Sequence, residues 1–369
     1  MQRKKLSLVG LGLSLVAVSN ADVTIGGNRS FGMGGAGLAL PVDINNNYRL
    51  NPAFLAFGSK SPSLMWPQFG YRLDGIGPSD ISNLVGDVSK GGLESDKIID
   101  IARKYSDSNK TVAAGVDFGV RFAGFAVSAK GEVGLNTVPN QQLKNWAASG
   151  GNLSNVDAGS RLDAYGYGYQ RLDIGYGNSL RSGAGHFAIG ANVKKVKSYY
   201  AHKFADKDTI QSGNAGGVQN GSGIANDFAE GESIGMDLGV LYSPPNMDNT
   251  YVGIVVENFI EPGIVFPFQA PGGGGLIIQN GFDPNVRTYS VGIGHVQDKL
   301  LLAADMVDIG NRAGRAETRY GAELTLTKGF AVRAGYNSRT AFSFGLSLGG
   351  FNIQVAGNAP ITLGTVVRF

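Results

Sequence analysis

The chain contains no cysteine in 369 residues. That absence removes disulfides, thiolate zinc sites, iron–sulfur ligands and a lipidated N-terminal cysteine. Charge is scarce as well, at 17% Asp, Glu, Lys and Arg against about 25% in ordinary globular chains. With 43% hydrophobic residues, the composition excludes a disordered chain. Histidine occurs only at positions 186, 202 and 295, too scattered for a metal site. No apolar run reaches the ~18 residues of a membrane-spanning helix. What the chain has in excess is glycine, 57 residues or 15%, about twice the usual ~7%. Without a Gly-X-Y period it is not collagen, and its glycine plus proline stays below the ~25–30% of low-complexity chains.

The first 21 residues read as an export signal. Arg3, Lys4 and Lys5 form a positive region, Leu6 to Val18 an apolar stretch, and Ser19-Asn20-Ala21 a small-residue cleavage site. The formal charge of +3 lies entirely in this leader; without it, 29 basic residues face 29 acidic ones. No global field remains to attract nucleic acid.

Alternation at period two fills the rest. Val112, Ala114, Val116, Phe118, Val120 and Phe122 share one face; after Ala123-Gly124 the apolar row moves to Phe125, Val127, Ala129, Val133 and Leu135. A two-residue hairpin turn requires that change of parity. It sets Asp117 opposite Lys130 on the polar face, which also holds Arg121 and Glu132. Repetition of the pattern predicts 14 strands near 61–73, 111–122, 125–137, 160–177, 185–199, 230–243, 250–260, 285–296, 299–308, 316–327, 329–338, 340–349, 350–357 and 361–369. Tyr165, Tyr167 and Tyr169 fall on odd positions and Leu172, Ile174 and Tyr176 on even ones, which a bulge near Gln170 would reconcile. The tyrosines, with Tyr199 and Tyr200, suit an aromatic girdle at a membrane interface, or less well a carbohydrate platform.

Gaps after odd strands are long early in the chain (74–110, 138–159, 200–229, 261–284), whereas those after even strands are short. Long loops on one side and tight turns on the other describe an all-β, 14-stranded antiparallel transmembrane barrel. The faces between the apolar rows carry glycine, small residues and isolated charges that suit a lumen: Asp117, Arg121, Lys130, Glu132, Glu323 and Arg333. Glu323 comes opposite Arg333 if Thr327-Lys328-Gly329 turns with a left-handed glycine. The final row ends at Phe369, matching the C-terminal strand by which outer-membrane barrels are recognised by their insertion machinery.

Two segments are not strands. Residues 80–104 carry helical spacing, a short helical segment in the first long loop. Residues 22–58 precede the barrel of 59–369 and contain Gly32, Gly34, Gly37, Asn51, Pro52 and Ala53; the resemblance given below implies that they are an N-terminal plug. Gly32-x-Gly34-x-x-Gly37 formally matches a dinucleotide fingerprint, but no βαβ unit or acidic partner follows. Gly345-x-Ser347-x-Gly349 formally matches a nucleophile elbow, yet it lies within an alternating strand. These matches do not indicate an enzyme or a cofactor. Gly272–Gly275 lacks the lysine of a phosphate loop. Ile264, Val265, Phe266 and Phe268 form an apolar patch in an extracellular loop, suited to capture of a hydrophobic ligand or to packing on the rim.

Arg29-Ser-Phe-Gly-Met-Gly-Gly-Ala-Gly37 and Asn51-Pro-Ala-Phe-Leu55 resemble the N-terminus of the FadL-like outer-membrane superfamily. Tyr320–Leu324, Ala331–Asn337 and Phe344–Gly349 look like the C-terminal half of its conjugal-transfer TraF-type and PorV-type branches. The resemblance implies a 14-stranded barrel with an N-terminal hatch in the bacterial outer membrane. It implies passive uptake of hydrophobic small molecules such as long-chain fatty acids, with outer-membrane lipid as surroundings. For the TraF- and PorV-type branches it implies a non-transporting component that partners envelope secretion or conjugation proteins. N-terminal sequencing of the exported protein is expected to begin at Asp22; recovery of Leu6 in it would refute the leader.

Overall fold

A computed structural model describes residues 28–42, 48–57, 61–74, 106, 110–150, 153–212, 219–220, 229–247, 249–263, 286–313, 316–338, 341–349, 351–356 and 359–365. The leader 1–21, the 80–104 segment, the 264–268 patch, Gly272–Gly275 and Phe369 lie outside them.

The described chain is all-β with a few short helices. Its strands are β1 (Ser63–Asp74), β2 (Lys110–Phe122), β3 (Phe125–Pro139), β4 (Arg161–Ser182), β5 (Gly185–Asp206), β6 (Gln219–Asn220), β7 (Ala229–Ser243) and β8 (Thr250–Ile260). They continue as β9 (Thr288–Gln297), β10 (Leu300–Val307), β11 (Glu317–Thr327), β12 (Phe330–Asn337), β13 (Ala341–Leu348), β14 (Phe351–Ala356) and β15 (Ala359–Thr365). All pairings are antiparallel, and they run β1-β2-β3-β4-β5-β7 and on through β15, with β15 paired back to β1 through Phe69 and Leu363. The described residues thus form 15 strands where the alternation predicts 14. The additional one is β6, two residues set against Lys203 and Phe204 of β5.

Turn chemistry explains the register. Ala123 and Gly124 both take positive φ, +46° and +89°, as a two-residue hairpin turn requires. Gly329 (φ +98°) closes the β11–β12 turn, where a register shift between Thr325 and Thr327 leaves Glu323 opposite Arg333.

Three sequence expectations fail on β4 and β5. No bulge interrupts β4: its pairing is continuous from Leu162 to Tyr176 with β3 and along its whole length with β5. The apparent parity break has another cause. Leu172, Ile174 and Tyr176 are exposed, whereas odd-numbered Asp173 is buried and Tyr165 lies against buried His202. Tyr165 stacks on His202 with ring centroids 4.4 Å apart, and Tyr200 is buried, so these residues form no outward girdle. Both strands also outrun their expected ends. Beyond Tyr199, one side carries Ala201, Lys203 and Ala205 and the other Tyr200, His202 and Phe204. No apolar–polar contrast marks that stretch.

The sheet's amphipathicity is the reverse of a water-soluble protein's. On β2, Phe118 is 48% exposed while neighbouring Asp117 is 1% exposed. Phe342 and Phe344 on β13 and Ile353 and Val355 on β14 are exposed, whereas Ser343 and Gln354 between them are buried. Apolar surface on this scale marks contact with a membrane or another protein.

The buried face is covered by residues 28–42 and 48–57: helix Asn28–Phe31 and a turn in the first stretch, the 3₁₀ helix Pro52–Phe57 in the second. Met33, Leu38, Leu40, Tyr48, Phe54 and Leu55 from this segment are buried, and they pack against Ala126, Ala188, Leu241, Val255 and Leu301 from the strands. Ala123→Gly is expected to stabilise the fold by about 0.5–1 kcal/mol, because it relieves a left-handed alanine; the midpoint of urea unfolding checks this.

Candidate functional site

The N-terminal segment meets the strands at places where the strands offer no side chain. Gly321 and Gly335 are opposite each other in the register, and a Cβ on either would come within 3.0 Å of Met33. Gly253 and Gly292 form a second pair, under Leu38. Gly177, Gly190 and Gly239 form a third group across three strands. There Asn51 and Pro52 lie on Gly190 and Gly239, and Leu55 and Ala56 on Gly177. Backbone against backbone at this spacing leaves no room for a methyl group, which accounts for glycine on these inward positions.

Between the glycine contacts, backbone groups of the segment are bonded to strand side chains. Gly34 N–H donates to Ser343 Oγ at 2.7 Å, and Asn337 Nδ2 donates to the Gly34 carbonyl at 3.2 Å. Arg319 donates to the Gly35 carbonyl at 3.1 Å. Gly37 and Leu38 both donate to Asp305 Oδ2, at 2.7 and 3.1 Å. Asn51 Nδ2 reaches the carbonyls of Leu38 (2.8 Å) and Val240 (3.2 Å), while its Oδ1 accepts from Ala53 N–H at 3.0 Å. Asn51 therefore joins the two halves of the segment, opens the 3₁₀ helix and holds both to β7. Pro52 has no N–H needing a partner there.

Charge meets charge in two clusters. In one, Arg29 donates Nε to Glu323 at 2.6 Å, and Glu323 also pairs with Arg333. Arg333 Nη2 continues to Ser347 Oγ at 2.6 Å, and Ser347 bonds Asn352. In the other, Arg49 pairs with Asp117 and, at 3.1 Å, with Asp173. Arg171 bridges Asp173 (2.6 Å) to Asp237 (2.8 Å), and Lys194 also pairs with Asp237. Asn258, at φ +52° in an irregular stretch of β8, donates its N–H to Asp237 at 2.8 Å. Tyr48 hydroxyl bonds Ser128, and burial raises its pKa. Burial works against the charge on Arg49, but Asp117 and Asp173 outweigh it and raise its pKa above the ordinary arginine value.

The residues singled out from sequence are distributed as follows. Gly32, Gly34, Gly37, Asn51, Pro52 and Ala53 are all buried in the N-terminal segment. Asp117 stands opposite Lys130, but the two form no ion pair: Asp117 pairs with Arg49, and Lys130 with Glu132 at 2.9 Å. An N-terminal arginine supplies the nearer charge. Arg121 and Glu132 are buried on the same inner wall, and Glu323 and Arg333 form the expected cross-strand pair. Arg29, Arg49, Arg171, Asp173, Lys194, Asp237 and Asp305 were not singled out. Their parity marks the strand members as inward, but nothing in the sequence says which segment faces them.

Neither catalytic match is assembled. Ser347 bonds Arg333 and Asn352, while His202 bonds Asp163 (2.7 Å), His295 bonds Thr250 (2.9 Å) and His186 lies against Phe57. Gly32 is packed against Gln354 rather than opening a nucleotide loop. No group of three metal-binding side chains occurs among the described residues.

Gly190→Val would force side-chain atoms into the Pro52 backbone. A destabilisation of about 1–3 kcal/mol is expected, with faster proteolysis near residues 50–57 as its readout.

No protein-family model matches the chain, and no curated protein sequence does. Solved structures do. A TodX monoaromatic hydrocarbon channel mutant superimposes with a TM-score of 0.55 at 14% identity, covering 94% of this chain and 100% of that one. The Ralstonia pickettii toluene transporter TbuX gives 0.51 at 14% identity, with the same coverage. The P. putida toluene transporter TodX gives 0.50 at 13% identity, covering 94% and 100%. The chain shares its fold with these hydrocarbon channels and transporters.

Proposed function

We propose that the protein is a bacterial outer-membrane channel for passive uptake of hydrophobic small molecules. In this reading, β1–β5 and β7–β15 close into a 14-stranded barrel, and residues 22–58 are its hatch. The observation that carries the membrane half is the reversed amphipathicity, with aromatic and aliphatic side chains outside and paired charges within. The unbroken circuit of pairings supports closure. The shared fold supports transport of apolar compounds, of the class that spans monoaromatic hydrocarbons and long-chain fatty acids.

Strand length agrees with a bilayer. β4 and β5 have 22 residues each, about 70 Å of chain at ~3.3 Å per residue. Even tilted by ~40° they exceed the ~25 Å apolar band of an outer-membrane barrel. Their Tyr165–His202 end then stands outside the lipid, on the side of the long loops. Ligand enters there, with the 264–268 loop as a contact, and reaches the periplasm when the hatch shifts. The leader 1–21 directs export, and Phe369 ends the strand read by the insertion machinery.

The purified protein in liposomes is expected to accelerate entry of toluene or a long-chain fatty acid severalfold over protein-free vesicles. Equal rates for both solutes would refute uptake and favour a structural role beside envelope secretion or conjugation proteins.

A further inference from the structure

The two arginines that the N-terminal segment sends into the wall are not equivalent. Glu323, the partner of Arg29, is already paired with Arg333 from the neighbouring strand. Removing Arg29 leaves that carboxylate neutralised. Asp173 likewise keeps Arg171 when Arg49 is absent. Asp117 differs. It is 1% exposed, and among the described residues its ion pair is with Arg49 alone. Lys130, its register neighbour, is engaged with Glu132 and acts on Asp117 only as a second, weaker charge behind Arg49.

A buried carboxylate without a counter-ion is strongly unfavourable, and at a pH alkaline enough to keep it ionised it recovers stability by admitting water. We propose that Arg49 is the electrostatic latch that holds residues 48–57 closed against the β2–β4 wall, with Asp117 supplying the force and Arg29 dispensable. This rests on the hatch reading above. The neighbouring contacts suit a part that opens and recloses. Asn51, Pro52, Leu55 and Ala56 rest on bare glycine backbone, and beside them Phe54 and Leu55 pack on Ala126, Ala188 and Leu241, two of which are only a methyl group deep. The other half, residues 33–40, is held mainly by backbone hydrogen bonds to Ser343 and Asp305, with no cation of its own paired to the wall there.

Ion leak through planar bilayers in KCl tests the latch without requiring any hydrophobic solute to be transported. Wild type, Arg49→Ala, Arg49→Lys, Arg29→Ala and the triple variant Arg49→Ala/Asp117→Asn/Asp173→Asn are compared. Heat-modifiable gel mobility confirms that each is folded. Stranding one buried charge shifts the closed–open balance by at least about tenfold. Arg49→Ala is therefore expected to raise the open fraction at least about tenfold, Arg49→Lys less, and Arg29→Ala under about twofold. The triple variant, with no carboxylate left to neutralise, is expected to return to within about threefold of wild type. An Arg49→Ala channel as tight as wild type overturns the latch. So does equal leak from Arg29→Ala, which would make the two arginines equivalent, or a triple variant that leaks as much as Arg49→Ala, which would reduce Arg49 to packing. If a variant is not folded, Asp117→Asn alone gives the same reading: it must weaken closure less than Arg49→Ala. Liposomal uptake by wild type is scored separately, so loss of the transport reading and loss of the latch are distinguishable.

Discussion

Enclosed charge must be paired, and this protein encloses a great deal of it. Turning Phe118, Ile174, Phe342 and their neighbours outward commits Asp117, Asp173, Lys194, Asp237, Glu323 and Arg333 to the inside. Strand partners satisfy most of them, through Arg171, Lys194 and Arg333. The remainder is satisfied from the N-terminal segment. That requirement determines where Arg49 sits, while Arg29 adds a second cation to the Glu323–Arg333 pair.

Glycine is the complementary constraint. A segment whose arginines reach the wall must itself lie on the wall, and side chains on the inward strand positions would hold it off. Gly321 with Gly335, Gly253 with Gly292, and the Gly177–Gly190–Gly239 row each lie beneath one piece of that segment. The glycine excess of the composition is therefore partly a contact surface. Asn51 completes it, because one carboxamide answers a carbonyl of the segment, a carbonyl of β7 and the first free N–H of the 3₁₀ helix.

The upper ends of β4 and β5 follow different rules from the rest of the sheet. Asp163 binds Arg161 and His202, Tyr165 stacks on His202, and Arg161 lies over Phe204. Nearby, Leu143, Trp146 and Val156 form a separate small core with Leu162 and Ile210. This region has an inside built of aromatic and polar groups and lacks the outward aliphatic row found lower down. It holds itself together by stacking, charge and that small apolar core.

The sequence by itself determined the strands, their parity and several registers. Period-two alternation reports which face meets an apolar medium, and a two-residue turn such as Ala123-Gly124 carries that parity into the next strand. Hence Glu323 opposite Arg333 was legible in advance. Alternation is silent where both faces are polar or both aromatic, so the tips of β4 and β5 and the inward turn of Tyr165 and Tyr200 were misread. Only the tertiary structure decided the pairing of Asp117. Register set Lys130 across from it, but Arg49, 68 positions away along the chain, carries the charge that reaches it. Side-chain parity is a local property of a strand, whereas neutralising a buried charge depends on everything folded against it.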